Sequence, residues 1–201
     1  MNLSVLGAAG AIGIPLVDQA LAEGHRVTAL VRSRQKLTIT NPNLHVVEGD
    51  ATDHAAVSEA MNGGDAVISV LGARGPVMAE ATRAIVDVAK QTGPERVVML
   101  SSFVAARDRL TPVTKVVTGI AMSSQIKDKT AGEEILRASG LDWTIVYPTK
   151  LTNGPKTEAR VVPENEKVGA SQKISRAGVA SFLLQAATED LHSRRGVVIT
   201  G

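Results

Sequence analysis

The chain has no cysteine, and its 201 residues include only two phenylalanines, one tryptophan and one tyrosine. Without cysteine there is no disulfide and no thiolate metal site, and the redox compartment is left unmarked. The four histidines, His25, His45, His54 and His192, are scattered and none pairs with another at helical spacing, so no metal site is expected. So few aromatics provide no stacking platform for bases. A net charge of +2 carries no electrostatic footprint for nucleic acid. No apolar run is long enough to span a membrane. The opening residues, MNLSVLGAAG, lack the basic n-region of a signal peptide. A cytoplasmic protein is expected, with neither nucleic acid nor membrane as a partner.

What is present is ordinary for a globular domain: 44% apolar and 21% charged residues, in a chain of single-domain length. Short apolar runs alternate with helical patterns. Strands are expected at 2–6, 26–31, 44–49, 65–71, 95–101, 142–148 and 196–200. Helices are expected at 11–23, from Thr52 or Asp53 to about Met61, and at 76–92, 126–139 and 175–188. Continuously apolar strands alternating with helices predict an α/β fold, a doubly wound parallel sheet covered on both faces. Two segments, 104–124 and 149–174, break the rhythm. Each follows a strand, so both are expected as loops on the substrate side, with 110–122 as a mainly apolar flap. No internal repeat or linker divides the chain, so residues 1–201 read as one domain.

The first strand leads into GAAGAIG, with Gly7, Gly10 and Gly13 three apart before a helix. This is the setting in which glycines admit a pyrophosphate to free amides at a helix start; a tight packing turn is the plainer alternative. The second strand ends in VRSR. It lacks the acidic residue that holds the ribose 2′-hydroxyl of NAD. Arg32, Ser33 and Arg34 instead suit a 2′-phosphate, or form a solvated basic turn. The third strand ends in EGDATD. Asp50 is placed to accept from an adenine amino group, with Ala51 against the ring, or else it caps the next helix. After the fourth strand comes LGARG, where Leu71 and Gly72 are expected along the inner cofactor path. Arg74 is expected at a phosphate or on the surface.

Taken together, GAAGAIG, VRSR, GDATD, VLGARG, VVMLSS and LRASGLDWTIVYP resemble the atypical short-chain dehydrogenase/reductase superfamily. Within it, the chain is most similar to NAD(P)H-binding proteins of the biliverdin-IXβ reductase/flavin reductase type and to their NmrA-like relatives. The likeness runs through ISRAGVASFLL near the end. It implies an NAD(P)-binding Rossmann fold and NADP as cofactor. It puts Gly7, Ala9, Gly10, Ile12 and Gly13, with Ala11 of the same loop, at the pyrophosphate, and Arg32 and Arg34 near the 2′-phosphate. It puts Asp50 and Ala51 at the adenine, Leu71, Gly72 and Arg74 on the inner path, and Pro148 among the cofactor contacts. Ser102 falls at the serine beside the nicotinamide, and Lys129 at the active-site lysine. The flavin-reductase type has histidines where this chain has Lys129 and Lys150.

The stretch SSQIKDKT, residues 123–130, departs from the superfamily's usual pair. Typical members carry a tyrosine four residues before the lysine, where it donates a proton. Here that position is Gln125, and an amide is no proton donor at neutral pH. The only tyrosine, Tyr147, falls in a strand and is expected in the core. Lys129 shares a helical stripe with Gly132 and Leu136, so it is expected on the inward side, holding the ribose or snorkelling to solvent. Glu133 and Arg137 are expected as a pair on an outer side. Hydride transfer is the cofactor's own chemistry. The expectation is therefore an NADPH-dependent oxidoreductase, with a small-molecule acceptor that is conjugated or quinone- or flavin-like. A non-enzymatic NADP(H) sensor is the alternative. A sugar-nucleotide epimerase relative would need a larger C-terminal lobe.

Overall fold

In the computed structural model the chain alternates strand and helix almost throughout. β1 (Asn2–Leu6) leads to α1 (Gly13–Ala22), β2 (Arg26–Val31), β3 (Leu44–Glu48) and α2 (His54–Met61). β4 (Ala66–Ser69), α3 (Met78–Gln91) and β5 (Arg96–Leu100) follow. Next come α4 (Pro112–Ala121), α5 (Ser123–Ala138), β6 (Asp142–Pro148), β7 (Lys150–Thr152), β8 (Arg160–Val161) and β9 (Lys173–Ser175). α6 (Arg176–Thr188) and β10 (Arg195–Thr200) close the chain. The structure describes residues 1–72, 77–91, 93–121, 123–169 and 171–201, with side chains described outside 120–125.

The main sheet runs β3-β2-β1-β4-β5-β6-β10-β8, parallel except for the antiparallel edge strand β8. β1 pairs with both β2 and β4, so the strand order reverses there. In an open α/β sheet this reversal opens a crevice beyond the carboxyl ends of the strands. α1 and α6 cover one face in a core with Leu16, Val17 and Leu183. α2, α3 and α5 cover the other with Met61, Ile85 and Leu136. Apart from β8, sequence patterns placed the strands of this sheet and the helices on its faces within a few residues of their observed bounds. Asp53, not Asp50, caps α2 by accepting from the Ala55 amide.

The two segments expected as substrate-side loops carry structure of their own. The first holds α4, and the second holds β7, β8 and β9. β7 and β9 form a separate two-stranded sheet. The segments are also laced together. The Thr111 amide donates to the Val168 carbonyl at 3.0 Å, and the Val168 amide to the Arg109 carbonyl at 2.8 Å. Short β-runs in 149–174 carried too few alternating residues to stand out by periodicity. Among the described residues no helix is long and apolar enough to cross a membrane.

Candidate functional site

A cleft of about 1120 Å³ follows the carboxyl ends of the parallel strands. β1 delivers the glycine loop to it, and β2 delivers Arg32 and Ser33. β3 contributes Gly49, Asp50 and Ala51, and β4 contributes Leu71 and Gly72. Ser101 and Ser102 follow β5, Pro148 ends β6, and Lys129 reaches in from α5. Residues from seven separate stretches of sequence thus meet, six of them because parallel strands all end on one edge.

Three glycines of the loop do different work. Gly7 has φ +86°, a left-handed conformation that side chains resist. At Gly13 a Cβ would lie 2.3 Å from the Gly7 carbonyl oxygen, so this residue exists for close packing of α1 on the loop. Gly13 does not line the cleft, although it was expected at the pyrophosphate. Gly10 does line it, together with Gly7, Ala9, Ala11 and Ile12. Its Cβ would meet only the Gly7 oxygen, at 3.1 Å. Among the described residues the amides of Ala11, Ile12 and Gly13 have no hydrogen-bond acceptor outside helices and strands. They stand at the start of α1, where the helix dipole is positive. This is a cradle of the right chemistry for a pyrophosphate. Gly72 is different again: among the described residues a Cβ there meets nothing within 4 Å, so their packing does not require glycine.

At the end of β2 the expected cation set changes. Arg32 and Ser33 line the cleft, but Arg34 does not; Lys36 does. A single helical turn over Arg34–Lys36 produces the exchange. Its rotation carries Lys36 inward, while the Arg34 amide donates to the Glu48 carboxylate at 3.1 Å. Asp50 Oδ1 accepts from the Thr52 amide at 2.9 Å and from its hydroxyl at 2.8 Å. The amide first, then the hydroxyl, hold the Asp50 carboxyl below the usual carboxylate range. Arg74 lies outside the described residues, as does the Gln125 side chain.

The Lys129 end of the cleft has a buried polar layer behind it that the sequence did not reveal. Glu133, expected on an outer side, is only 5% exposed. Its Oε1 accepts from Ser101 Oγ at 2.6 Å, and its Oε2 accepts from the Tyr147 hydroxyl at 2.5 Å. Arg137 donates to that hydroxyl at 2.7 Å and pairs with Glu133 at 3.4 Å. α5 packs on both α3 and β6, so two of its faces are buried and the single inward stripe read from sequence was too narrow. Gly132 and Leu136 occupy the first face, with a Gly132 Cβ only 3.0 Å from Thr82 Oγ1. Burial, chiefly, lowers the Lys129 ammonium below the usual lysine range, against the opposing pull of Glu133 and then Asp128. Tyr147 is core, as its strand position suggested, and burial followed by the Glu133 charge pushes its phenol far up. The chain's one tyrosine is therefore committed to Glu133 and does not line the cleft.

The supposed flap is also relocated. From 104–124 only Val104 lines the cleft among the described residues. On α4, Val113, Val116 and Val117 face solvent at 75%, 63% and 60% exposure. Lining residues that sequence reasoning passed over include Lys36, Glu80, Ser101, Phe103 and Arg176, while Lys150, singled out only through the resemblance, lines the cleft as well. Position just past a strand end was the available signal for Ser101 and Lys150. For Arg176 and Glu80, which sit at helix starts, there was none.

Three known proteins are similar to this chain, one by sequence and two by structure. An uncharacterized chloroplastic protein of Arabidopsis thaliana is 30% identical over 97% of this chain and 75% of its own length. An anaerobillin reductase, ChuY, of Escherichia coli O157:H7 is 25% identical, with a TM-score of 0.84 covering 100% of this chain and 97% of that one. A short-chain dehydrogenase/reductase of Veillonella parvula, in complex with NADP, superposes with a TM-score of 0.87 at 22% identity, over 100% of this chain and 94% of that one. The profile of the family described as NAD(P)H-binding matches residues 7–190. With that match spanning the glycine loop, the cleft and α6, the chain belongs to the NAD(P)H-binding family.

Proposed function

We propose that the protein is an NADPH-dependent oxidoreductase that reduces a conjugated, quinone-like or flavin-like small-molecule acceptor. One observation carries this reading. A single cleft joins Arg32 and Lys36 at one end, the glycine loop in the middle, and Ser102 and Lys129 at the other. In this reading the free amides of Ala11 and Ile12 receive the pyrophosphate. Arg32 and Lys36 face the 2′-phosphate, with Ser33 beside them. Asp50 accepts from the adenine amino group through Oδ2, because Oδ1 is committed to Thr52. Ala51 flanks the ring, and Leu71, Gly72 and Pro148 line the inner path. Ser102 and Lys129 hold the carboxamide and ribose beside the acceptor.

When bound, the reduced nicotinamide supplies a hydride. With a proton from water the acceptor gains two electrons and two hydrogens. No tyrosine acid is needed when the acceptor itself stabilises the charge that develops on it. Steady-state NADPH oxidation with quinones, flavins and conjugated carbonyl compounds tests the proposal. Turnover with at least one class, yielding one reduced acceptor per NADPH, is expected.

The commitment of Tyr147 to Glu133 favours one other reading, a redox sensor that binds NADP(H) without turnover. Tight NADPH binding with no acceptor consumed would replace the first reading with this one.

A further inference from the structure

Among the described residues five cationic side chains line the cleft: Arg32, Lys36, Lys129, Lys150 and Arg176. Among the described residues none of them forms an ion pair, although six such pairs occur elsewhere in the molecule. Two carboxylates line the same cleft, Asp50 and Glu80. The first is held by Thr52.

Lys150 and Arg176 form a distinct group by their support. Lys150 begins β7, whose partner in the two-stranded sheet is β9, with Thr152 opposite Ser175. Arg176 is the next residue and the first of α6. The two cations are therefore carried on one small, hydrogen-bonded platform. The Arg176 guanidinium Nη1 donates to Asn153 Oδ1 at 2.7 Å. A neutral amide orients the guanidinium without neutralising it and leaves its other donors free. The neighbouring wall is apolar, made by Phe103, Val104, Leu151 and Pro148.

We propose that Lys150 and Arg176 form an acceptor subsite that takes an anionic oxygen group, a carboxylate or a phosphate, on a molecule whose body is flat and apolar. This rests on the reading above. There the dinucleotide's anions fall to the glycine loop and to Arg32 and Lys36, on the β1–β3 side of the cleft. Lys150 follows β6 and Arg176 opens α6, which packs on α1 and over β4 to β6, and neither has a cofactor anion assigned to it in that reading. A planar guanidinium matches a carboxylate or phosphate in two-point geometry, and the lysine adds a point charge. The apolar wall then receives the body of the acceptor and sets it against the nicotinamide end of the cleft.

The test uses acceptors matched in body and differing in charge. Riboflavin is compared with flavin mononucleotide for phosphate. 2-Methyl-1,4-naphthoquinone is compared with a 1,4-naphthoquinone bearing a carboxylate side chain. Binding to the NADP⁺-loaded protein is measured by fluorescence titration, and NADPH oxidation is followed separately. The anionic member of at least one pair is expected to bind tenfold or more tighter, with the advantage shrinking as salt rises. The carboxylate and phosphate arms show which anion is preferred. In Lys150→Ala/Arg176→Ala the advantage disappears while NADPH affinity stays within twofold.

The proposal is overturned if neither anionic member is favoured, if the preference survives the double substitution, or if NADPH affinity falls as much as that for the anionic acceptor. In the last case the two cations serve the cofactor. An anion preference without NADPH consumption keeps the subsite and removes the reductase reading. Consumption without an anion preference does the opposite.

Discussion

β5 joins two ends of the molecule that treat positive charge in opposite ways. At its start, Arg96 is 5% exposed and surrounded by acceptors. Its Nη2 donates to the Ala186 carbonyl at 2.5 Å, the Leu191 carbonyl at 2.8 Å and Thr144 Oγ1 at 2.8 Å, and Asp142 lies 3.2 Å from Nη1. That cluster fastens the turn between α6 and β10, in which Asp190, His192 and Arg194 all have positive φ. At the other end of β5, Ser101 and Ser102 open into a cleft whose five cations have no carboxylate partners among the described residues. A buried charge with all its partners inside the fold maintains the fold. Charges gathered on a concave surface without partners cost stability, and they persist where a ligand completes them.

The largest effect that would break this comparison is expected from Arg96→Ala. It removes the buried arginine of the Arg96–Asp142 ion pair and takes its donor from the Ala186 and Leu191 carbonyls, at a cost of about 3–5 kcal/mol. Urea unfolding should show that loss, while the folded fraction still binds NADPH. A stable variant would show that the turn holds without its arginine.

Gly10→Val attacks the opposite end. The backbone there has ordinary φ and a Cβ meets one oxygen at 3.1 Å, so folding should persist. NADPH affinity should fall by about two decades, ~2.8 kcal/mol. Unchanged affinity in a folded variant would reduce the loop to a packing turn.

Lys129→Ala should weaken NADPH binding by roughly 1.5–3 kcal/mol, the range for a hydrogen bond to a charged group. A pH series sharpens the contrast with Arg96. Because burial lowers the Lys129 pKa, its charge opposes folding at neutral pH. The unfolded chain binds the extra proton between the lowered native value and the ordinary 10.5, so stability should rise with pH across that window. Lys129→Met should remove that rise. NADPH affinity of the native protein should fall over the same window, as the ammonium is lost. A flat profile in both would place the lysine head outside the site.

The smallest effect concerns cofactor choice. Replacing Arg32 and Lys36 together by alanine should erase a preference for NADPH over NADH of at least about tenfold, or 1.4 kcal/mol. Isothermal titration with both dinucleotides checks it. Equal affinities in the native protein would mean that neither side chain reads the 2′-phosphate.

Local pattern was enough to determine the alternation of strands and helices, the glycine loop at the end of β1 and the absence of a carboxylate at the end of β2. Each depends on residues close together in the chain, where hydrophobic period and backbone freedom act directly. Tertiary structure decided which of those residues face one another. A single turn after Ser33 exchanged Arg34 for Lys36 in the cleft. Packing of α5 on two elements drew Glu133 inward to Ser101 and Tyr147, which lie 32 and 14 residues away in the chain. The pairing of β7 with β9 carried Lys150 and Arg176 to one wall. A side chain's partner across such distances follows from helix rotation and strand register, which only the assembled sheet and its packed layers define.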